Sequence, residues 1–407
     1  MYKTLKDIKV DGRTVIHHCD FNIKLKTVDG GLTVPVSDVR LKAYFPSIFY
    51  LLNRGCKIVF ISYLERPGGK VVESLRMKPV AERLSSLINR EVKYFPHAVG
   101  KTTRQFIKEM QKGEMVLLEN TRFYPGEEAD EDDFSRELAR NGELMVMDAF
   151  GHAHRKHASV TGIPRHIPTV AGLYLMGEIE TFNKLMKSPK KPLVLIVGGT
   201  KTYDKVKAVF NLIDKTDFVL VGGAVANVFL KAKGVDVAGS FLEEPFVDKA
   251  KGETIDMVEE ARKLLEKYAD KVLLPVDLVA TDNLKKPKNK KLVNLDEGQN
   301  LPGNWAFVDL GPRTIKTFEK FINKAKTVFW DGPMGMYEDA RFREGTLRVA
   351  EKVAENDKTT ILAGGDTAAI AENFGLIFRY SHVSIAGGAA LEYLAGQTMP
   401  GLEVLKK

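Results

Sequence analysis

Two lysines one helical turn apart, Lys201 and Lys205, follow a glycine pair in LVLIVGGTKTYDKVK at residues 193–207. Glycine permits the tight turn, and Val206, Val209, Phe210 and Ile213 fall at helical spacing after it. Both ammonium groups then stand at the mouth of a strand–turn–helix, where backbone N–H groups and the positive helix end favour an anion. That chemistry is phosphate handling. The same residues also fit an ordinary glycine-rich turn with two solvated lysines. A second candidate is AGGDTAAIAENFG at residues 363–375, where Asp366 and Thr367 follow another Gly–Gly. They fit helix caps, and equally a magnesium ion and a phosphate held by carboxylate, hydroxyl and helix dipole together. The chain has no GxxxxGK[ST], which excludes a P-loop, and no GxGxxG after its first strand.

A third group is cationic. Asp20, Asn22, Arg66, Arg122 and Arg155 stand just past predicted strands, and Arg40 opens a predicted helix. Several guanidinium forks converging from strand ends would grip phosphate and carboxylate, although any one of them alone fits a surface ion pair. DAFGHAHRKHAS at 148–159 carries His152, His154 and His157. Three histidines at this spacing can hold a metal. No carboxylate or cysteine partner stands out, so histidines packed beside Arg155 are the preferred reading.

These residues need a scaffold of parallel strands, because ligands sit beyond the carboxyl ends of such strands. Apolar runs at 14–16, 57–62, 91–95, 115–119 and 144–149 alternate with helical patterns such as 40–54 and 77–89. That alternation predicts βαβ units in the first half. Leu175, Ile179, Phe182 and Met186 make one apolar stripe between Pro168 and Pro189, which predicts a single helix joining two lobes. The second half offers six apolar runs, most ending in glycine: LIVGGT, FVLVGGA, VLLPVD, TVFWDGPMG, TILAGGD and HVSIAGGA.

The 407 residues exceed what one core usually holds. With 28% charged and 44% hydrophobic residues the composition is that of a soluble globular protein. The net charge of +8 is spread out, so no basic arm points to nucleic acid. KKPKNKK at 285–291 reads as a solvated loop, and the acidic run 127–133 as a solvated helix start. Cys19 and Cys56 make no disulfide framework, no apolar run reaches 18 residues, and no signal sequence opens the chain. A cytoplasmic protein is expected.

The motifs, in order, resemble those of phosphoglycerate kinases along essentially the whole chain: HCDFNIK, SDVRLKAYFPSI, SYLERP, LLENTRFYPGEEAD, DAFGHAHRKHAS, GGTKTYDK, VGGAVANVFLKAKG, LPVDLVA, DLGPRTI, WDGPMGMYE, GGDTAAI and IAGGAALEYLAG. The resemblance implies an α/β protein of two Rossmann-like lobes, each a parallel sheet flanked by helices, joined by an interdomain helix that bends as a hinge. Residues 1–170 would bind the triose phosphate, 171–187 would form the joining helix, 188–390 would bind nucleotide, and 391–407 would return to the N-lobe. The implied reaction is reversible phosphoryl transfer between 1,3-bisphosphoglycerate and ADP, giving 3-phosphoglycerate and ATP, by a monomer that uses Mg2+. By matched position, Asp20, Asn22, Arg40, Tyr63, Arg66, Arg122 and Arg155 would hold the triose phosphate. Arg40, Lys201, Gly364 and Gly387 would serve the transfer itself. Gly199, Lys201, Lys205, Gly222, Gly223, Pro333, Glu338, Gly365, Asp366 and Thr367 would hold the nucleotide, with Glu338 on the ribose, Asp366 on magnesium and Gly388 adding an N–H donor.

The chain departs from the family pattern within the site. Tyr63 stands in place of a substrate-binding histidine, Glu65 of a glycine, His18 of an arginine, Lys24 of a proline, His152 of a threonine and Asp331 of an asparagine. Thr200, Ala224, Ala363, Ala386 and Ile385 are further departures in the glycine turns. Glu65 brings a carboxylate within reach of Arg66, and an ion pair there would raise the KM for 3-phosphoglycerate. A paralogue with another acyl-phosphate substrate, or a nucleotide-binding protein without catalysis, is the alternative.

Overall fold

The computed structural model describes residues 2–27, 33–248, 252–298, 301–355 and 358–407. Its contacts divide it into two units, Met1–Thr181 with Thr398–Lys407, and Phe182–Gln397.

The first unit is built on six strands: β1 (Thr14–His18), β2 (Lys57–Ile61), β3 (Val92–Phe95), β4 (Met115–Leu118), β5 (Leu144–Met147) and β6 (Thr169–Ala171). They pair in the order β3-β4-β2-β1-β5-β6, every pair parallel. The inner strands β4 and β5 are buried throughout, which is why they read as unbroken apolar runs. The sheet order places the ends of β1, β2 and β5 side by side, so Asp20, Tyr63 and His152 are delivered to one edge.

One predicted helix is two. The pattern over 40–54 forms α1 (Val39–Lys42) and, after a break, a helix at Phe45–Leu52. Pro46 lies in the first turn of the second piece, where its missing N–H costs nothing. In a continuous helix it would have broken the ladder to Lys42. Asp148, just past β5, is buried. It takes the Leu175 N–H at 2.9 Å on one oxygen and lies 3.0 Å from His17 Nε2 with the other. It thereby ties the strand end to α2 (Leu173–Lys187), whose Leu175, Ile179 and Phe182 are buried. The division between the units falls inside α2. Residues 398–407 complete the first unit: Gly401 N–H donates to the Ala153 carbonyl at 2.8 Å, and Lys3 N–H to Leu405 at 2.9 Å.

The second unit repeats the plan with β7 (Leu193–Val197), β8 (Phe218–Val221), β9 (Val272–Leu273), β10 (Thr327–Asp331), β11 (Thr359–Ala363) and β12 (His382–Ser384). Their order is β9-β8-β7-β10-β11-β12, again all parallel. The glycine turns after β7, β8, β11 and β12 lead into α3 (Thr202–Leu212), α4 (Gly223–Ala232), α5 (Gly365–Asn373) and α6 (Gly388–Leu394).

The two sheets are not the whole of the β-structure. Asp277–Thr281, Lys290–Asn294 and Ala306–Leu310 form a separate antiparallel sheet in the second unit. The basic run 285–291 is exposed at nearly every position, yet its last two lysines open the middle of those strands in sequence. The acidic run is corrected at its first residue, whereas Glu128, Glu131, Asp132 and Asp133 are exposed as expected. Glu127 is fully buried, accepting the Ser159 hydroxyl at 2.5 Å and its N–H at 3.2 Å. Burial pushes its carboxyl up to about 7.

Candidate active site

A cleft of about 400 Å³ opens at the carboxyl ends of β7, β8, β10, β11 and β12 in the second unit. Gly199, Lys201, Lys205, Gly223, Pro333, Glu338, Gly364, Gly365, Asp366, Gly387 and Gly388 all line it. Lys201 is the exposed residue before the first turn of α3, and Asp366 is exposed in the first turn of α5. Among the described residues neither is in an ion pair, so each is available to a ligand. The far wall is apolar, made by Leu278, Phe307, Phe241, Leu284 and Tyr337. A flat apolar group at one end and phosphates at the other would fit this division. Asp309 also lines the cleft. Burial raises its carboxyl to about 7, although it accepts the Gly345 N–H at 3.0 Å.

Lys205 is not free. Its ammonium donates to Asp331 Oδ1 at 3.0 Å and to the Asp331 carbonyl at 3.1 Å, both side chains being under a tenth exposed. The backbone around this pair allows no side chain. Gly332 has φ +91°, and a Cβ there would lie 2.2 Å from Lys205 Nζ. Gly364 has φ +90°, and its Cβ would lie 2.8 Å from Asp331 Oδ1. The N-terminus of α3 is occupied too: the Thr202 hydroxyl and the Tyr203 N–H (3.0 Å) both donate to Glu243. The anion expected at this helix end from the sequence is therefore supplied by the protein.

In the first unit, Asp20 pairs with Arg40 and takes the Asn22 N–H at 3.1 Å. Burial works against the Asp20 carboxylate, but Arg40 and His152 more than offset it and hold it below the usual range. Asn22 Oδ1 accepts the Glu65 N–H at 2.9 Å, and Arg122 Nη1 donates to the Glu65 carbonyl at 2.6 Å. Arg122 is buried; its Nε lies 3.2 Å from the half-exposed Glu128 carboxylate, and among the described residues its Nη2 has no hydrogen-bond partner. Burial, and with it the neighbouring Arg155, pushes its guanidinium below the ordinary value. Arg155 is half-buried, with Nε likewise unpartnered. Two close cations with unfilled donors are suited to an oxyanion.

A sequence model of the phosphoglycerate kinase family matches residues 5–397.

The chain belongs to the phosphoglycerate kinase family.

A phosphoglycerate kinase from Pelotomaculum thermopropionicum is 40% identical over 403 residues, covering 99% of this chain and 98% of that one. One from Borreliella afzelii is 39% identical over 406 residues, covering 100% and 99%. Among solved structures, the phosphoglycerate kinase of Pyrococcus horikoshii superposes with a TM-score of 0.86 at 30% identity, covering 100% of this chain and 98% of that one. That of Coxiella burnetii gives 0.78 at 31%, covering 100% and 99%. The activity is the family's, reversible phosphoryl transfer between 1,3-bisphosphoglycerate and ADP. Among the described residues, no helix is long and apolar enough to cross a membrane.

Four of the residues named from the sequence have surroundings that the sequence did not suggest. Gly222 lies behind the cleft wall, where a Cβ would meet Met334 Sδ at 2.6 Å. Thr367 is fully buried, and its hydroxyl accepts the Gly332 N–H at 2.7 Å instead of facing the cleft. Tyr63 is 2% exposed, with both ring faces covered. Arg66 is exposed, and among the described residues no ion pair joins it to Glu65. Glu65 works instead through its backbone, held at φ +50°. Among the described residues, no group of three or more histidines, cysteines or carboxylates can hold a metal ion. His152 lies against Asp20 (3.2 Å) and His18, and His157 lies 3.8 Å from Glu127. The apolar wall from the antiparallel sheet was missed; the run AFVDL at 306–310 was the available signal.

Proposed function

We propose that Asp20, Asn22, Arg40, Arg66, Arg122 and Arg155 hold 3-phosphoglycerate, and that the cleft of the second unit holds the adenine nucleotide with Mg2+. The supporting observation is the cleft itself: four glycine turns, Lys201, Lys205 and Asp366 line one space with an apolar far wall. Asp366 suits a divalent cation shared with phosphate oxygens, since its carboxylate is exposed in the first turn of α5 and, among the described residues, bound to no cation. When bound, such a cation neutralises charge on the phosphate chain.

Transfer of a phosphoryl group asks for in-line placement and dispersed positive charge more than for covalent chemistry. Lys201 answers the charge on the moving group. The N–H groups of Gly364, Gly365, Gly387 and Gly388 answer the oxygens around it, and Pro333 and Glu338 border the nucleoside. Arg40, held by Asp20, serves the acceptor carboxylate. Closure of the two lobes about a hinge, a monomeric state and a cytoplasmic location complete the reading, with no nucleic-acid partner. Nothing favours a divergent substrate or a non-catalytic role.

A coupled assay tests the proposal. ATP consumption should depend on 3-phosphoglycerate and on added Mg2+. Arg122→Ala should weaken 3-phosphoglycerate and spare the nucleotide. Loss of nucleotide binding in Arg122→Ala, with triose binding intact, would reverse the assignment of the two sites.

A further inference from the structure

Three of the departures from the family pattern lie far apart in sequence and touch in the fold. His18 Nε2 is 3.1 Å from His152 Nδ1, and the two rings are 5.1 Å apart. His152 stacks on Tyr63, centroids 4.2 Å apart and planes 18° from parallel. On the other face of Tyr63 lies the Arg122 guanidinium, 3.6 Å from the ring centre. His18, His152 and Tyr63 are all at most 2% exposed. The column thus runs His18, His152, Tyr63, Arg122, and a side branch leaves it where His152 Nε2 approaches Asp20 Oδ1 at 3.2 Å.

We propose that this column is a prop that sets Arg122 and Asp20 for the triose phosphate, and that Tyr63 is a positioning residue and not a ligand. The inference rests on the reading that Arg122 and Asp20 belong to the 3-phosphoglycerate site. Arg122 Nη1 is fixed on the Glu65 carbonyl and its Nε lies 3.2 Å from Glu128 Oε1, but Glu128 is 45% exposed and both contacts leave the guanidinium plane free to tip. The ring of Tyr63 removes that freedom by lying against the guanidinium face. Tyr63 is itself backed by an aromatic ring, so it cannot retreat. His18 closes the column from behind: its ring donates or accepts only toward His152, its other nitrogen being buried without a partner. The tyrosine hydroxyl plays no part in this account. The ring face does.

The test is calorimetric titration of the full chain with 3-phosphoglycerate, beside steady-state kinetics. Tyr63→Leu should weaken 3-phosphoglycerate binding about tenfold, as expected for loss of a buried cation–π contact. The nucleotide KM and the kcat at saturation should change less than about twofold. Tyr63→Phe should bind as the wild type does. His152→Thr should show the Tyr63→Leu defect in milder form, and the double variant should be no worse than Tyr63→Leu alone, because both act through one column. If Tyr63→Leu does not fold, Tyr63→Phe and His152→Thr carry the test. Equal losses in Tyr63→Phe and Tyr63→Leu would make the hydroxyl a ligand and overturn the proposal. So would wild-type affinity in Tyr63→Leu or in His152→Thr. Arg122→Ala separates the two levels: if it binds 3-phosphoglycerate normally, the underlying site reading fails and the prop with it, whereas a weakened Arg122→Ala beside a normal Tyr63→Leu sinks the prop alone.

Discussion

Lys205 is held by Asp331, through the side chain at 3.0 Å and the carbonyl at 3.1 Å, at the glycine-lined end of the cleft in the second unit. A nucleotide phosphate reaching for this ammonium competes with a carboxylate already in place. Asp331→Asn removes the competing charge and keeps an oxygen for the hydrogen bond. Its free form should be less stable by up to ~3 kcal/mol, because a buried cation loses its counter-charge. Its affinity for ADP should rise roughly fivefold. Thermal shift with and without ADP reads both effects, and a variant that binds ADP no better than wild type would mean that Lys205 does not meet the phosphates.

Lys201 stands in the opposite situation, exposed and unpaired among the described residues. It should act mainly on the group in transfer. Lys201→Ala is expected to lower kcat by ~10²-fold or more while changing nucleotide affinity little. Single-turnover rates with a parallel binding titration distinguish this from a ground-state role, in which affinity would fall as steeply as rate.

Glu65 carries a side chain on a left-handed backbone, φ +50°, while its N–H and carbonyl hold Asn22 and Arg122. The carboxylate makes no ion pair with Arg66, so its removal should not release that arginine. Glu65→Gly should gain ~0.5–1 kcal/mol of stability from relief of strain, less the entropy of an added glycine. Its 3-phosphoglycerate affinity should stay within about twofold of wild type. Urea unfolding and calorimetry check the two halves, and a marked gain in affinity would return the carboxylate to the substrate site.

Glu127 gives a pH signature. Its folded carboxyl is raised by burial to about 7, above its ordinary value. Between about pH 4.5 and 7 the folded protein therefore binds more protons at this group than the unfolded chain. Its contribution to stability is lost as pH rises through that window, by on the order of 3 kcal/mol at most. His157, 3.8 Å away, is held down to about 3 by burial and by Arg122 and Arg155, so it stays neutral across the same window. Relative to Glu127→Gln, the wild type should be progressively destabilised from pH 5 to pH 8. Urea midpoints of both proteins at the two pH values measure the difference; parallel curves would show that Glu127 is ionised throughout.

The parts of this molecule that sequence made legible are those whose environment is uniform. β7 and β10 are buried along their whole length, so each appears as one apolar run, and the glycine turns follow directly. Lys201, Asp366 and the arginines could be placed at strand ends for that reason. The antiparallel strands were harder. Lys290–Asn294 exposes its first three residues and buries Val293, a pattern that reads as loop. Yet the sheet it belongs to supplies Leu278 and Phe307 to the cleft. Glu127 was misread because its partners, Ser159 and His157, are some thirty residues away. The contact of His18, Tyr63 and His152 depends on the order in which β1, β2 and β5 lie in the sheet, which no local spacing encodes.

Residues 398–407 pack into the first unit, where Gly401 would collide with Met147, Val160 and Ala153 if it carried a Cβ, and Tyr2 bridges Lys406. In the order of synthesis this piece follows the whole of Phe182–Gln397. The first unit is begun early on the ribosome and stays open along one seam until the second has been made. Contacts spanning some four hundred residues close last and slowly. The face of the first unit against which Gly401, Leu402 and Leu405 are buried is expected to stay open until then, so chaperone dependence should peak in that interval and deleting 398–407 should make the exposure permanent.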